Sequence, residues 1–165
     1  MVRPILFLAL SVAGCAGGPT VVGGPFPLDP ANMTYPLDGE NVELKNGTHE
    51  VKTGESADDF VRTDLTKARS DADFDGDSAT DSAVVVTKDD GKLAVHYLAV
   101  ITNAGKVTTI TLGKNVLVQE LAPHPKGGIE VKLLGRDDGV PEDTPPTLPL
   151  TKRYELKAGA LVLSK

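Results

Sequence analysis

From Val42 to Leu163 the apolar runs are short and, Phe60–Ala68 apart, each is closed by glycine, proline or an Asn-Gly pair before a long helix could complete. Chains punctuated in this way build short strands joined by turns. VELKNGTHEV (Val42–Val51) is the clearest local signal, with Asn46-Gly47 suited to a two-residue type I′ turn. That turn predicts Leu44 opposite His49 and Val42 opposite Val51 on one face, with Glu43 and Glu50 paired on the other. Phe60–Ala68 reads as a strand or as a short helix opening at Ser56, with strand preferred. Ser82–Thr87 reads as a short strand led by valines. Leu93–Thr102, LAVHYLAVIT, is apolar on both faces and predicts a central strand covered from both sides. Asn103–Lys106 then makes a tight turn into Val107–Leu112, followed by Val116–Leu121. In Ile129–Leu134 the residues Ile129, Val131 and Leu133 alternate inward against Glu130 and Lys132. Tyr154 and Leu156 open a last hairpin, turned at Ala158-Gly159 and closed by Leu161 and Leu163. One helical turn is expected within residues 29–35, at Pro30. The expectation is a mainly β chain: a single antiparallel β-meander domain over residues 31–165, curled into a sheet, barrel or sandwich.

Residues 136–149, RDDGVPEDTPPTLP, break the sheet with prolines and acids. A loop of this length in a compact domain is either functional or a plain surface connection. Residues 16–30 are rich in Gly and Pro and read as a flexible tether, although Val21, Val22 and Phe26 are apolar enough to pack on the domain.

The N-terminus points to export. Met1–Gly14 carries one cation, Arg3, ahead of a mostly apolar run from Ile5 to Ala13. That run is short of the roughly 20 residues a spanning helix needs and fits the apolar region of an export signal. Val12-Ala13-Gly14-Cys15 follows, and it resembles the lipobox of bacterial lipoproteins, in which the cysteine is acylated and becomes the first residue of the mature chain. The resemblance implies a signal peptide at 1–14, a lipidated Cys15 opening the 15–30 tether, and a membrane anchor. The other reading is an ordinary secretory signal with a chance cysteine. Ala16 stands where some inner-membrane lipoproteins carry Asp, so an outer-membrane location facing the periplasm is expected. With Cys15 the only cysteine, no disulfide can form within the chain, and stability must come from the core or a bound ion.

Loss of residues 1–14 would remove one of 17 Lys+Arg and none of 23 Asp+Glu, leaving a net charge near −7. The chain has no Trp, three Tyr and four Phe, and it shows no basic stripe. Nucleic acid is therefore not an expected partner.

The stretch Asp71–Val86, DADFDGDSATDSAVVV, concentrates five aspartates and then turns apolar. Carboxylates crowded into one turn repel each other unless water screens them or a cation sits among them. A hard divalent cation takes several oxygen ligands at about 2.3–2.6 Å. Counted from Asp71, the spacing matches the first half of an EF-hand loop, but the twelfth position is Ser82 and no flanking helices are evident. Counted from Asp73, D-F-D-G-D-S-A-T-D followed by an apolar strand resembles the calcium loops of FG-GAP repeats in integrin-type propellers. The resemblance implies calcium ligands at Asp73, Asp75, Asp77 and Asp81, with the main-chain carbonyl at Ala79. Ser78 departs from the family's usual glycine, a residue that accepts positive φ at little cost. The loop occurs once, which argues against a propeller. Mg²⁺ fits less well because it demands tight octahedral geometry, and zinc because His49, His96 and His124 are scattered. An unmetallated acidic turn is the alternative.

Beyond the loop, the order of features resembles a group of small exported bacterial proteins of uncharacterised function. The matching pieces are Asn46-Gly47, Asp73–Val86, Leu98–Asn103, Leu112–Val118, Ile129–Val131 and Tyr154–Leu161. This resemblance implies an envelope location and a β domain, and it carries no catalytic residues.

No GxSxG elbow is present, and no histidine is paired with a nucleophile in the sequence. His96 and His49 read as core residues and His124 as part of a loop. The expectation is a non-catalytic module that binds an envelope protein or polymer, with no small-molecule substrate identified. The alternative is an acidic periplasmic inhibitor or scavenger of a basic hydrolase such as lysozyme.

Overall fold

The computed structural model describes residues 24–56 and 59–164. The expected signal peptide, the lipidated Cys15 and tether residues 16–23 lie outside the described residues. Within them the chain forms strands β1 (Thr34–Leu37), β2 (Glu40–Glu43), β3 (Thr48–Lys52), β4 (Phe60–Ala72), β5 (Asp81–Asp89), β6 (Ala94–Ile101), β7 (Val107–Lys114), β8 (Leu117–Pro123), β9 (Ile129–Gly135), β10 (Leu148–Lys157) and β11 (Ala160–Ser164). A 3-10 turn at Pro30–Asn32 precedes them, capped by the Asp29 side chain, which accepts from the Ala31 N–H. All pairings are antiparallel: β1 with β2, a five-stranded sheet β3-β4-β5-β6-β7, and a four-stranded sheet β11-β10-β9-β8.

These sheets stack as three layers. Strand side chains alternate between faces, so one strand can serve two cores. In β5 and β6, Ala83, Val85, Leu98 and Val100 face Leu121, Ile129, Val131, Leu133 and Tyr154 of the four-stranded sheet. Val84, Val86, Tyr97, Ala99 and Ile101 face the other way, onto Tyr35, Leu37, Val42 and Leu44 of the β1–β2 ribbon and its flank. β8 runs beside β4, and β11 beside β7, without ladder pairing, so the two large sheets form an open sandwich and not a closed barrel. The expected Leu93–Thr102 segment is an inner strand, β6, paired with β5 and β7, although the middle position of the five falls to β5. That segment, as β6, is nevertheless covered on both faces as its composition predicts.

The expected Val42–Val51 hairpin forms only its turn. Asn46 and Gly47 take φ of 54° and 84°, and Lys45 and Thr48 close the loop as an isolated bridge. The arms then part. Val42 pairs with Tyr35 in β1 and Val51 with Val61 in β4. The physical reason is that Val42 and Leu44 bury in the ribbon core, while Gly47 is held from both sides: its N–H donates to Ala31 O at 2.8 Å and its carbonyl accepts from Leu65 N at 2.7 Å. Glu50 meets Arg62 across the sheet, not Glu43, which removes the like-charge contact. His49 lies opposite Thr63 and is half-buried.

Packing begins ahead of residue 31. Phe26 is buried at 8 % exposure against the ribbon core, and the Arg69 guanidinium sits 5.6 Å from its ring centroid, a cation–π distance. Tyr35 O–H donates to Pro30 O at 2.6 Å and Tyr97 O–H to the Asp38 carboxylate, so these two buried phenols are satisfied. Burial pushes both phenol pKa values up, with Asp29 adding to the effect on Tyr35 and Asp38 on Tyr97.

Leu98 is fully buried at the middle of β6. Its truncation to Ala should cost about 3 kcal/mol and lower Tm by roughly 6–12 °C. Leu163→Ser, at a side chain 57 % exposed, should stay within about 0.5 kcal/mol of the parent, and urea titration of both variants measures the contrast.

Candidate metal site

Residues 73–80 connect β4 to β5, and the ladder closes beneath them with Ala72 opposite Asp81. The loop is seated by Phe74, whose side chain enters the core between the two large sheets at 7 % exposure. Its turns are made by its own acids. Asp73 accepts from Gly76 N at 2.7 Å and Ser78 N at 2.9 Å, Asp75 from Asp77 N at 3.1 Å, and Asp77 from Ala79 N at 2.8 Å. Gly76 and Ser78 both take positive φ, 87° and 69°. Ser78 thus occupies the left-handed conformation that glycine accepts at less cost.

Asp81 is the root of this arrangement. It is completely buried, and its carboxylate accepts from Phe74 N at 2.8 Å, Asp75 N at 3.2 Å and Asn103 N at 2.9 Å. Two loops, β4–β5 and β6–β7, are therefore pinned to one anion. Asn103 adds a second tie, its side-chain amide donating to Asp77 at 2.7 Å. Sequence reading placed Asn103 only in a turn. The usable signal was an Asn at the end of a buried strand, where its amide can bridge to a neighbouring loop.

Of the four aspartates expected to converge, the structure brings together Asp73, Asp75 and Asp81, each offering a carboxylate oxygen within 4.8 Å of the others. Two ligands on one calcium-sized ion stand at most about 5 Å apart, so the focus has the right size for a hard cation. The Asp77 carboxylate turns instead toward Asn103 and Ala79 N, which hold it below the ordinary range. Asp71 belongs to β4. Burial opposes its ionisation, but hydrogen bonds from Arg69 and Ser82 outweigh that and lower its pKa. Asp73, Asp75, Asp77 and Asp81 make no ion pair with a Lys, Arg or His among the described residues. The group is one that can hold a metal ion: oxygen-only, anionic and tied in place by backbone N–H groups.

The remaining histidines do not join it. His96 is half-buried with Nδ1 3.0 Å from Thr87 Oγ1, and desolvation lowers its pKa. His124 shapes the β8–β9 turn by accepting from Lys126 N at 3.2 Å. The acidic loop after β9 spans residues 136–147 and is tacked down by Arg136, which donates to the carbonyls of Lys114, Asn115 and Thr144. Leu148 and Pro149 already belong to β10. Comparison with protein families, with curated proteins and with solved structures found no match.

Asp81→Ala should cost about 3–5 kcal/mol, because it strands three backbone donors and unpins two loops; equilibrium unfolding measures it. Asp75 behaves oppositely. Partial desolvation, and then the charges of Asp81, Asp77 and Asp73, raise its pKa. A raised folded-state pKa means that the folded chain binds more protons, so stability falls as pH rises through that range. Asp75→Asn should therefore raise Tm in chelator-containing buffer at pH 7. The gap should close as pH falls through the carboxylate range.

Proposed function

We propose that this chain is a bacterial envelope lipoprotein, held to the membrane through lipidated Cys15, whose β4–β5 loop binds a structural calcium ion. Its role is that of a non-catalytic binding or accessory module for an envelope protein or polymer. The observation that carries the calcium reading is the convergence of Asp73, Asp75 and Asp81 on one focus, where none of them makes an ion pair with a Lys, Arg or His among the described residues. Three carboxylates supply part of the six to eight oxygens calcium takes. By the calcium-loop resemblance, Asp77 and the Ala79 carbonyl are the further ligands, which requires the Asp77 side chain to swing from Asn103 toward the ion. A cation enclosed by protein oxygens has no open position at which to activate water, so its contribution is to the fold. It would fasten the same corner that Asp81 ties together, where Asp73, Asp77 and Asp81 crowd Asp75. The lipid anchor rests on the Val12–Cys15 segment and on the cysteine's being the only one in the chain.

Calorimetry on the full-length chain tests the metal. At calcium 100-fold above its dissociation constant the folded state gains about 2.7 kcal/mol. That should raise Tm by roughly 5–10 °C, and Asp75→Asn should abolish the increment. A melting curve unmoved between micromolar and millimolar calcium would sink the reading. For the anchor, the mature chain should carry acyl mass on its N-terminal cysteine and sediment with membranes, and Cys15→Ala should release it. Salt-sensitive capture of a cationic hydrolase would replace the accessory role with that of an acidic inhibitor.

A further inference from the structure

We infer that the hollow at the open seam between β4 and β8 binds a small amphipathic anion, a carboxylate on a medium-length hydrocarbon chain. The hollow measures about 420 Å³ and is lined by Ala68, Val85, Val116 and Val118 on its apolar side. That volume lies within the range of small-molecule sites. It sits where the sandwich fails to close, and three ladder irregularities surround it. They fall between Leu65 and Arg69 in β4, between His96 and Tyr97 in β6, and between Val118 and Glu120 in β8. Bulges of this kind re-aim side chains and end pairing, and here they hold two strands apart over the core. Val85, itself fully buried, lies at the base of the lining, so the hollow sits directly over the principal core.

The one charged side chain that lines the hollow is a cation. Lys67 is exposed and in no ion pair among the described residues, and no carboxylate lines the cavity, although acids outnumber bases in the chain. His96 commits Nδ1 to Thr87, and its Nε2 has no protein partner. Every fully enclosed side-chain polar atom among the described residues is paired, so Nε2 is accessible, on a residue that lines the hollow. Opposite His96 stands Gly113, where a Cβ would come within 2.8 Å of Val116 Cγ1 and crowd the same space. A hydrocarbon tail on the valines and a carboxylate head between Lys67 and His96 satisfy each of these groups. The site is separate from the acidic loop and does not depend on the calcium reading.

Isothermal titration of the full-length chain with decanoate, decanol and decylammonium tests this. Decanoate should bind saturably at one site, about tenfold tighter than decylammonium, a difference of about 1.4 kcal/mol. Lys67→Glu should weaken decanoate about fivefold or more and leave decanol unchanged. Ala68→Phe fills the hollow and should abolish binding. Gln119→Trp, at an exposed position on the rim, should block entry without touching the core, so it serves even if Ala68→Phe unfolds. The His96 imidazole resonances should shift on titration. Absence of saturable decanoate binding, binding that survives Gln119→Trp, or equal affinity for decanol and decanoate would each overturn the assignment.

Discussion

A single buried carboxylate organises one end of this molecule. Asp81 lies where a charge costs several kcal/mol unless it is well paired. It has no cationic partner among the described residues, and three backbone N–H groups from two loops take that place. Accepting several such bonds replaces the water a buried carboxylate has given up. The bonds also explain why the β4–β5 loop and the β6–β7 turn lie together, why Phe74 is drawn into the core, and why the remaining acids of the loop are brought close enough to repel. The metal focus is a by-product of that anchoring. The same geometry that satisfies Asp81 places Asp73 and Asp75 at its side.

The rest of the fold handles charge differently. On the outer face of the four-stranded sheet, acids and bases alternate and pair directly: Lys132 with Glu120 at 2.9 Å, and Glu155 with Arg153 at 2.7 Å and Lys157 at 2.6 Å. Hydrogen bonds from Lys157 and Ser164, with help from Arg153, hold the Glu155 carboxyl down to about 2. A face laddered in this way is satisfied by itself and offers little to a partner. Among the described residues the carboxylates of the β4–β5 loop and Lys67 at the seam stand outside such pairs. The two candidate sites thus carry opposite sign on an acidic chain.

Much of this was legible in the sequence, and the failures have physical causes. The alternation of Ile129, Val131 and Leu133 and the Ala158-Gly159 turn depend on neighbours close in sequence, and both stand in the structure as read. The doubly apolar LAVHYLAVIT segment told correctly of two cores. It could not tell that β5, with its shorter valine run, takes the middle. The Asn46-Gly47 turn was visible, but not the fate of its arms, because Ala31 and Leu65, distant in sequence, decide it. Phe26 looked like part of a tether because its partners, Arg69 and the ribbon core, are remote. For the site, Asp73, Asp75 and Asp81 could be named from spacing. That Asp77 faces Asn103 could not, since Asn103 arrives from another hairpin.

The clasp on Gly47 has a chemical consequence as well. Succinimide formation at an Asn-Gly pair requires the glycine nitrogen to lose its proton and close onto the asparagine side-chain carbonyl. Here that nitrogen donates to Ala31 O at 2.8 Å, and the Asn46 N–H is held by the Asn32 side chain at 2.9 Å. The contact that splays the two arms therefore also slows covalent ageing of the backbone at the bend where it would otherwise begin.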